Sequence, residues 1–143
     1  MDFQGSHTFS ASQQQVWNAI TNPTVLKESI PGAQSVAVDG NTLHVTIQLD
    51  LPLIKGSYSV DIEMLNSNPP NQLTLGVDRS GGFGSIKGQT VVNFAAAGSG
   101  TNANYNAHVE LGGKIGMTPS MMVEPVVKKM VDTFLSNLDK NIK

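Results

Sequence analysis

Hydrophobic and polar residues alternate along most of this chain, and a period of two predicts β-strands. A first strand is predicted at Phe3–Phe9, and six more are predicted between residues 34 and 111. The tight turn Asp39-Gly40-Asn41 is typical of a hairpin between two of these strands. Consecutive strands joined by short turns form an antiparallel sheet, which commonly has one dry face and one solvated face.

Two segments of the chain have a helical pattern instead. Ser12-Gln-Gln-Gln15 matches a capping box, which predicts a short helix that ends at Asn22-Pro23, and a further turn or two is predicted at 24–30. Met117–Ile142 is predicted to be one long amphipathic helix, which we expect Pro125 to bend or restart. Its solvent-facing side is predicted to contain Lys128, Lys129, Asp132, Ser136, Asp139 and Lys140.

An isolated amphipathic helix needs an apolar surface to pack against, and only the dry face of the sheet is large enough. The sequence therefore predicts a single α+β domain, residues 1–143, in which a seven-stranded antiparallel sheet wraps around a long C-terminal helix. One or two short helices are expected after the first strand. Inward positions of the last two strands are small, including Gly88, Thr90, Ala103 and Ala107. Larger neighbours must fill the space beside them, or a ligand-sized cavity remains.

Composition removes several classes of function. A net charge of -2 and a pI near 5.8 argue against a nucleic-acid partner. The absence of cysteine excludes disulfides, a thiol nucleophile and a thiolate metal site. No apolar run approaches the length of a membrane span, and the first residues lack the features of a signal peptide. We therefore expect a soluble, cytoplasmic protein.

Four short motifs carry a resemblance to a known family. They are Phe3-x-Gly5 in the first strand, Val16-Trp17 in the first helix, Ile30-Pro31-Gly32-Ala33 after it, and Leu111-Gly-Gly-Lys-Ile115 before the last helix. Together they resemble the CoxG family, the G subunit of carbon monoxide dehydrogenase, within the START-like (SRPBCC) helix-grip superfamily. The resemblance covers nearly the whole chain.

The resemblance implies a helix-grip fold around an apolar cavity. Members of the superfamily mostly bind lipids, sterols, quinones, polyketides or other apolar molecules. CoxG proteins accompany molybdenum hydroxylases of the carbon monoxide dehydrogenase type, and have been linked to membrane attachment and quinone handling. A bound quinone or lipid, a molybdenum hydroxylase partner and a peripheral contact with the inner face of the membrane are therefore expectations. The family offers no catalytic motif to carry over.

Candidate ligand-binding residues are those that strand parity or helix periodicity places toward the interior. Among the polar ones, His7 is placed to bond a ligand carbonyl such as a quinone oxygen, and Arg79 to bind an anionic or carbonyl head group. For both, a neighbouring protein group or solvent is the simpler partner. We expect no metal site, because no second inward His, Cys or carboxylate occurs at ligand spacing. The predicted cavity residues are His7, Trp17, Tyr58, Met64, Arg79, Phe94, Tyr105, Met122, Val126, Met130 and Phe134.

Three functions remain open from the sequence. The leading hypothesis is a non-catalytic carrier that holds an apolar molecule between the sheet and the last helix. An enzyme of the polyketide cyclase-like or hydrolytic kind would require an inward polar cluster, most plausibly His7 with Tyr58, Tyr105 or Arg79. The third is an assembly or recruitment factor that has no functional ligand.

Overall fold

The computed structural model describes residues 1–50, 55–81, 84–117 and 120–142. All seven strands form one antiparallel sheet in the order β1-β7-β6-β5-β4-β3-β2. The β1–β7 pair joins strands that are distant in sequence, and the remaining pairs are successive along the chain. The elements are β1 (Asp2–Phe9), α1 (Gln13–Ile20), α2 (Pro23–Ser29), β2 (Ala33–Asp39), β3 (Thr42–Asp50), β4 (Lys55–Asn68), β5 (Gln72–Gly81), β6 (Gly84–Ala97), β7 (Gly100–Gly112), α3 (Gly113–Gly116) and α4 (Ser120–Asn141).

Local sequence explains where the first helices begin. The predicted capping box is present, since the Ser12 hydroxyl accepts from the Gln15 amide and the Gln15 side chain accepts from the Ser12 amide. Asn22 caps α2 by accepting from the Thr24 amide, and Pro23 occupies the first helical position, where no backbone donor is needed. Gly40, with φ of +61°, makes the predicted β2–β3 turn.

The fourth strand extends beyond its predicted end. A loop was expected from Asn66, but β4 continues to Asn68 and pairs with β5, where Ser67 lies opposite Leu73. The register shifts between Met64 and Asn66, so that the extra residue, Leu65, is unpaired in the ladder and half exposed. A bulge of this kind interrupts the alternation of side chains, which is why the pattern resembled the end of a strand.

The predicted helix Met117–Ile142 is shorter than expected. A four-residue helix, α3, precedes it, Met117 lies in a turn, and α4 begins at Ser120. Of the two expected effects of Pro125, a restart does not occur, since α4 continues through it, and a bend at this residue remains a prediction. Pro125 lies in the second turn, where its missing N–H costs only the bond to the exposed Met121.

The C-terminal half of α4 is anchored to the rest of the domain. Leu135 and Leu138 are buried, and the helix packs against α2, α1 and β1. Two amide side chains bond the fully buried Ser29 at the end of α2: Asn137 donates to its carbonyl and Asn141 to its hydroxyl, both at 3.1 Å. These bonds satisfy polar groups at the end of a buried helix and fix the position of α4 along it.

One end of the space between sheet and helices is filled solidly. Trp17 from α1 meets Phe94 from β6 edge to face, with ring centroids 6.1 Å apart, and Phe9 is 1% exposed beside them. Ala103 lies directly opposite Phe94 on β7, so this small residue leaves room for the larger ring. The small inward positions in this region are therefore met by aromatic neighbours.

Candidate functional site

The other end of the interior contains a cavity of about 740 Å³. It lies between the inner face of β3–β7 and residues 122–134 of α4, with one residue each from α1 and α2, and every described side chain that lines it is apolar. The strands, the two short helices and the segments beside them contribute Met1, Ile20, Leu26, Ile30, Pro31, Leu43, Val45, Leu49, Ile62, Leu75, Val77, Ile86, Val109 and Leu111. The helix contributes Met122, Val123, Val126, Val127, Met130, Val131 and Phe134.

The two walls follow from the two periodicities of the sequence. The helix residues recur at spacings of three and four, which places them on one face of α4, and the strand residues occupy alternate positions. The N-terminus closes one side, because the Met1 ammonium group donates to the Val109 carbonyl at 2.7 Å and the Val109 amide donates back to the Met1 carbonyl. The Met1 side chain is thereby held in the cavity wall.

Of the eleven predicted cavity residues, four lie in its wall: Met122, Val126, Met130 and Phe134. All four come from α4. Their contact with a ligand remains a prediction. The other seven are not among the lining residues, and the structure shows where each of them lies.

Three of the seven are part of the filled core or pack against it. Trp17 and Phe94 form the edge-to-face pair described above, and Met64 is half-buried against the same cluster. They are inward, as predicted, but lie at the wrong end of their elements to reach the cavity. Strand parity specifies which face a side chain occupies, not its position along the cavity axis.

Tyr105 is also buried, but it lies across Gly5 on the neighbouring strand. Lys128 on α4 donates to the Tyr105 hydroxyl at 3.4 Å and to the Gln4 carbonyl at 3.0 Å, and its ammonium group is 5.7 Å from the Tyr105 ring centroid. Lys128, predicted to be merely solvated, is therefore exposed but bonded to β1 and β7. Tyr58 is half-buried on β4 and donates to the Lys55 carbonyl at 2.9 Å.

His7 is directed away from the cavity by a carboxylate. Its Nε2 lies 3.3 Å from an oxygen of Asp139, whose other oxygen accepts from the Ser10 amide and hydroxyl. The imidazole also meets Phe9 edge to face at 4.6 Å. The prediction that Asp139 faces solvent was wrong, since α4 crosses β1 at this point. His7 has a partner within the protein and does not line the cavity.

Arg79 occupies the inner face of β5 at the end of the strand. Val77, two residues before it, and Ile86, opposite it on β6, both line the cavity, whereas Arg79 does not. Its Nε is inaccessible to solvent and has no hydrogen-bond partner among the described residues. Nor does Arg79 form an ion pair with any residue that the structure describes.

Most of the lining was not singled out from the sequence. The β-strand residues Ile62, Leu75, Val77, Ile86 and Val109 were correctly placed on the inner face, but aromatic and polar residues were preferred as candidates. The wall is instead built largely from branched aliphatic side chains. One sequence signal could have located this wall. Val, Ile and Leu occupy the inward positions near the β5–β6 corner and in the C-terminal part of β7, and these positions face the apolar side of α4.

The ion pairs of His44 and His108 with carboxylates lie on the outer face of the sheet. The hydrogen bond that His44 donates to Asp61, together with the charge of that carboxylate, raises the pKa of His44, and the hydrogen bonds that His108 donates to Asp2 and Glu110 raise the pKa of His108. The hydrogen bond from His108 lowers the pKa of Asp2. Within the ranges described, no three His, Asp or Glu side chains converge to hold a metal ion.

The apolar surface continues from the cavity to the outside at the start of α4. Met122 lines the cavity and is 49% exposed, while Met117 and Met121 are more than four-fifths exposed. Methionine adapts to irregular apolar shapes, and exposed clusters of apolar side chains often mark interaction sites. We call Met117, Met121 and Met122 the methionine tip. No helix in the described part of the chain is long and apolar enough to cross a membrane.

Comparison of the sequence with known protein families agrees with the resemblance described above. The sequence profile of the CoxG family, the G subunit of carbon monoxide dehydrogenase, matches residues 5–143. No significant sequence match was found among curated proteins.

Solved structures share the fold over almost the whole chain. A conserved protein from Geobacillus kaustophilus is 25% identical, with a TM-score of 0.92 over 99% of this chain and 95% of that one. A protein from Rhizobium leguminosarum is 15% identical, with a TM-score of 0.81 over 99% and 93% of the two chains. Ara h 8.0201 is 18% identical, with a TM-score of 0.73 over 99% and 97%. The START-like helix-grip fold predicted from the sequence is thus confirmed.

Proposed function

Because this chain belongs to the CoxG family of carbon monoxide dehydrogenase subunits, we propose that it is a carrier for an apolar small molecule. The ligand is quinone-like or lipid-like and occupies the cavity between the sheet and α4. The protein serves as an accessory to a molybdenum hydroxylase of the carbon monoxide dehydrogenase type. It acts at that enzyme or at the membrane, without catalysing a reaction itself.

The observation that carries this proposal is the cavity of about 740 Å³ with an entirely apolar described lining. Its size falls within the range of small-molecule sites in proteins, about 300–1,000 Å³. Apolar ligand surface that leaves water there gains about 25 cal/mol per Å² before ordering costs. A cavity of this size beside a tightly packed core is better explained by a ligand than by poor packing.

The same lining does not favour the enzymatic alternative. Acid–base or nucleophilic catalysis needs a titratable or nucleophilic group within reach of the substrate. His7 is bonded to Asp139, and Tyr105 lies across Gly5, so the polar cluster that such an enzyme would require is not assembled around the cavity. Among the described lining residues, none carries a titratable side chain.

Binding is tested with the full chain and decylubiquinone, by displacement of a fluorescent apolar dye. Val126→Phe places a ring in the cavity, and Val38→Phe makes the same exchange at a half-exposed position on β2. We expect Val126→Phe to weaken binding about tenfold and Val38→Phe to leave it unchanged. Equal affinities for the two variants, or no binding to the unmodified chain, would count against the proposal. Native mass spectrometry of the purified protein should also reveal a retained lipophile.

The methionine tip supports a role in transfer, because it joins the cavity wall to the protein surface. We expect Met121→Ser to slow the delivery of decylubiquinone from vesicles about threefold without changing its equilibrium affinity, since Met121 does not line the cavity. Leu65→Ser is the control, because Leu65 is an exposed apolar residue on β4 outside the cavity wall. Equal slowing by both variants would show that the effect is not specific to the tip.

A partner enzyme is tested separately. If recruitment alone were the function, Val126→Phe would still capture the molybdenum hydroxylase that the protein accompanies. That enzyme would also still pass electrons to decylubiquinone. If the protein is a carrier, we expect capture to survive and electron delivery to fall with the affinity.

A further inference from the structure

The chain contains one arginine, Arg79, and no described residue pairs with it. Its Nε is shielded from solvent and bonds to none of the described groups, and no described carboxylate lies within ion-pair distance of its guanidinium group. Arg79 as a whole is half-buried, but buried N–H groups such as its Nε are almost always bonded. A guanidinium group in this situation therefore needs an explanation.

Its position provides one. Arg79 follows Leu75 and Val77 on the inner face of β5, and both of those residues line the cavity. Ile86, its partner on β6, lines the cavity too, and beyond this pair the two strands reach the end of their hairpin. Arg79 thus lies one position beyond an apolar wall, at the edge of the cavity.

Nearby charges do not neutralise it. Asp78 and its cross-strand partner Lys87 are exposed and, by alternation, lie on the outer face of the sheet. The described cavity wall contributes no acidic side chain. A ligand held against that wall would find a cation with free donor capacity at one end of an otherwise apolar site.

We propose that Arg79 binds the anionic oxygen head group of a ligand whose apolar body fills the cavity. A guanidinium group presents its N–H donors in a planar fork that matches a carboxylate and pairs with it more strongly than with a neutral acceptor. The preferred ligand class is therefore an amphipathic acid with a long apolar chain. This inference rests on the proposed carrier function and specifies which end of the cavity recognises the head group.

Two ligands that differ only in the head group test it, oleic acid and oleyl alcohol, each bound to the full chain at a pH of about 8, where the acid is ionised. We expect the unmodified protein to prefer the acid. Arg79→Gln should weaken oleate binding about tenfold and leave the alcohol within about twofold, and Arg79→Lys should restore part of the preference. Lys87→Gln is the matched control, because it removes a nearby positive charge from the outer face.

The outcomes separate this inference from the function on which it depends. If the unmodified chain binds neither oleyl alcohol nor decylubiquinone, the carrier function fails. If it binds both, but Arg79→Gln leaves oleate affinity unchanged, only the role of Arg79 fails. If Arg79→Gln weakens decylubiquinone as much as oleate, the head group is recognised as a neutral carbonyl and the acid class is wrong. Equal losses with Lys87→Gln would show only a general charge effect and would overturn the assignment.

Discussion

Tyr105 on β7 covers Gly5 on β1, and the two are directly opposed in the sheet. A Cβ atom at position 5 would lie 2.5 Å from the Tyr105 hydroxyl oxygen and 2.6 Å from the ring carbon that bears it. The glycine of the Phe3-x-Gly5 motif therefore has a packing role: it leaves room for an aromatic ring of β7 to lie across β1 at the edge of the sheet.

Gly5→Ala is expected to destabilise the protein by about 2 kcal/mol, because the added methyl group must displace a buried ring. Urea unfolding measures the change. The double variant Gly5→Ala/Tyr105→Leu removes the clash. The stability losses of the single variants Gly5→Ala and Tyr105→Leu should therefore add up to more than the loss measured for the double variant. Simple additivity would contradict the proposed contact.

The cavity predicts a trade-off between stability and binding. Val126→Phe should raise the free energy of unfolding of the ligand-free protein by about 1 kcal/mol, since the added ring is buried in existing space. Val38→Phe should produce no such gain, because Val38 is half exposed. Thermal unfolding without ligand checks both. A Val126→Phe variant less stable than the original would indicate that the space cannot accept a ring.

Removing the charge of Arg79 should also stabilise the ligand-free protein. We expect Arg79→Met to raise the free energy of unfolding by about 1 kcal/mol. The Nε of Arg79 is a shielded donor with no described partner, whereas methionine fills a similar volume and has no donor to satisfy. Lys87→Met on the outer face is the comparison and should have little effect. If Arg79→Met is destabilising, then Arg79 makes a structural contribution, and its retention needs no ligand.

The Asp139 contacts predict a structural role for His7. Asp139→Ala should cost about 2 kcal/mol, because it removes the partner of His7 and of two Ser10 donors that tie β1 to α4. His7→Ala should cost less and should leave decylubiquinone affinity unchanged, since His7 does not line the cavity. A loss of affinity in His7→Ala without a loss of stability would instead support the ligand role suggested by its parity.

The outer-face pair Asp2–His108 predicts a dependence of stability on pH. The pKa of His108 is raised from 6.5 by its bond to Asp2, so its contribution is complete below 6.5 and is lost as pH rises through the folded-state pKa. The pKa of Asp2 is lowered from 3.8, so its contribution is complete above 3.8 and is lost as pH falls further. The pair should stabilise most between 3.8 and 6.5.

Urea unfolding of His108→Gln tests this window. The difference from the unmodified protein should be larger at a pH of about 5 than at about 9. Both side chains are exposed, so the effect will be small, and added salt should reduce it. The stability difference for His44→Gln should depend on pH in the same way, because the bond between His44 and Asp61 also raises the pKa of the histidine. A difference that grows with pH would contradict the assignment.

The sequence correctly predicted the elements that depend on local physics. Alternation located the seven strands, the Ser12–Gln15 capping box located α1, and the glycine turn at Gly40 fixed the first hairpin. It failed where a local pattern was ambiguous or a distant segment intervened. The bulge at Leu65 mimicked a strand end, and the crossing of β1 by α4 turned Asp139 from a solvent-facing residue into the partner of His7.

Periodicity alone determined which face of each strand and helix would be apolar, because side-chain direction follows from the backbone repeat. Only the tertiary structure decided how far along those faces the packing is solid. Phe94 and Ile86 share one inner face of β6, yet Phe94 is in the filled core and Ile86 lines the cavity. The difference depends on the distance between sheet and helix at each point, which is set by how α4 is anchored at Ser29 and the core aromatics. No residue's own neighbours in the sequence encode that distance.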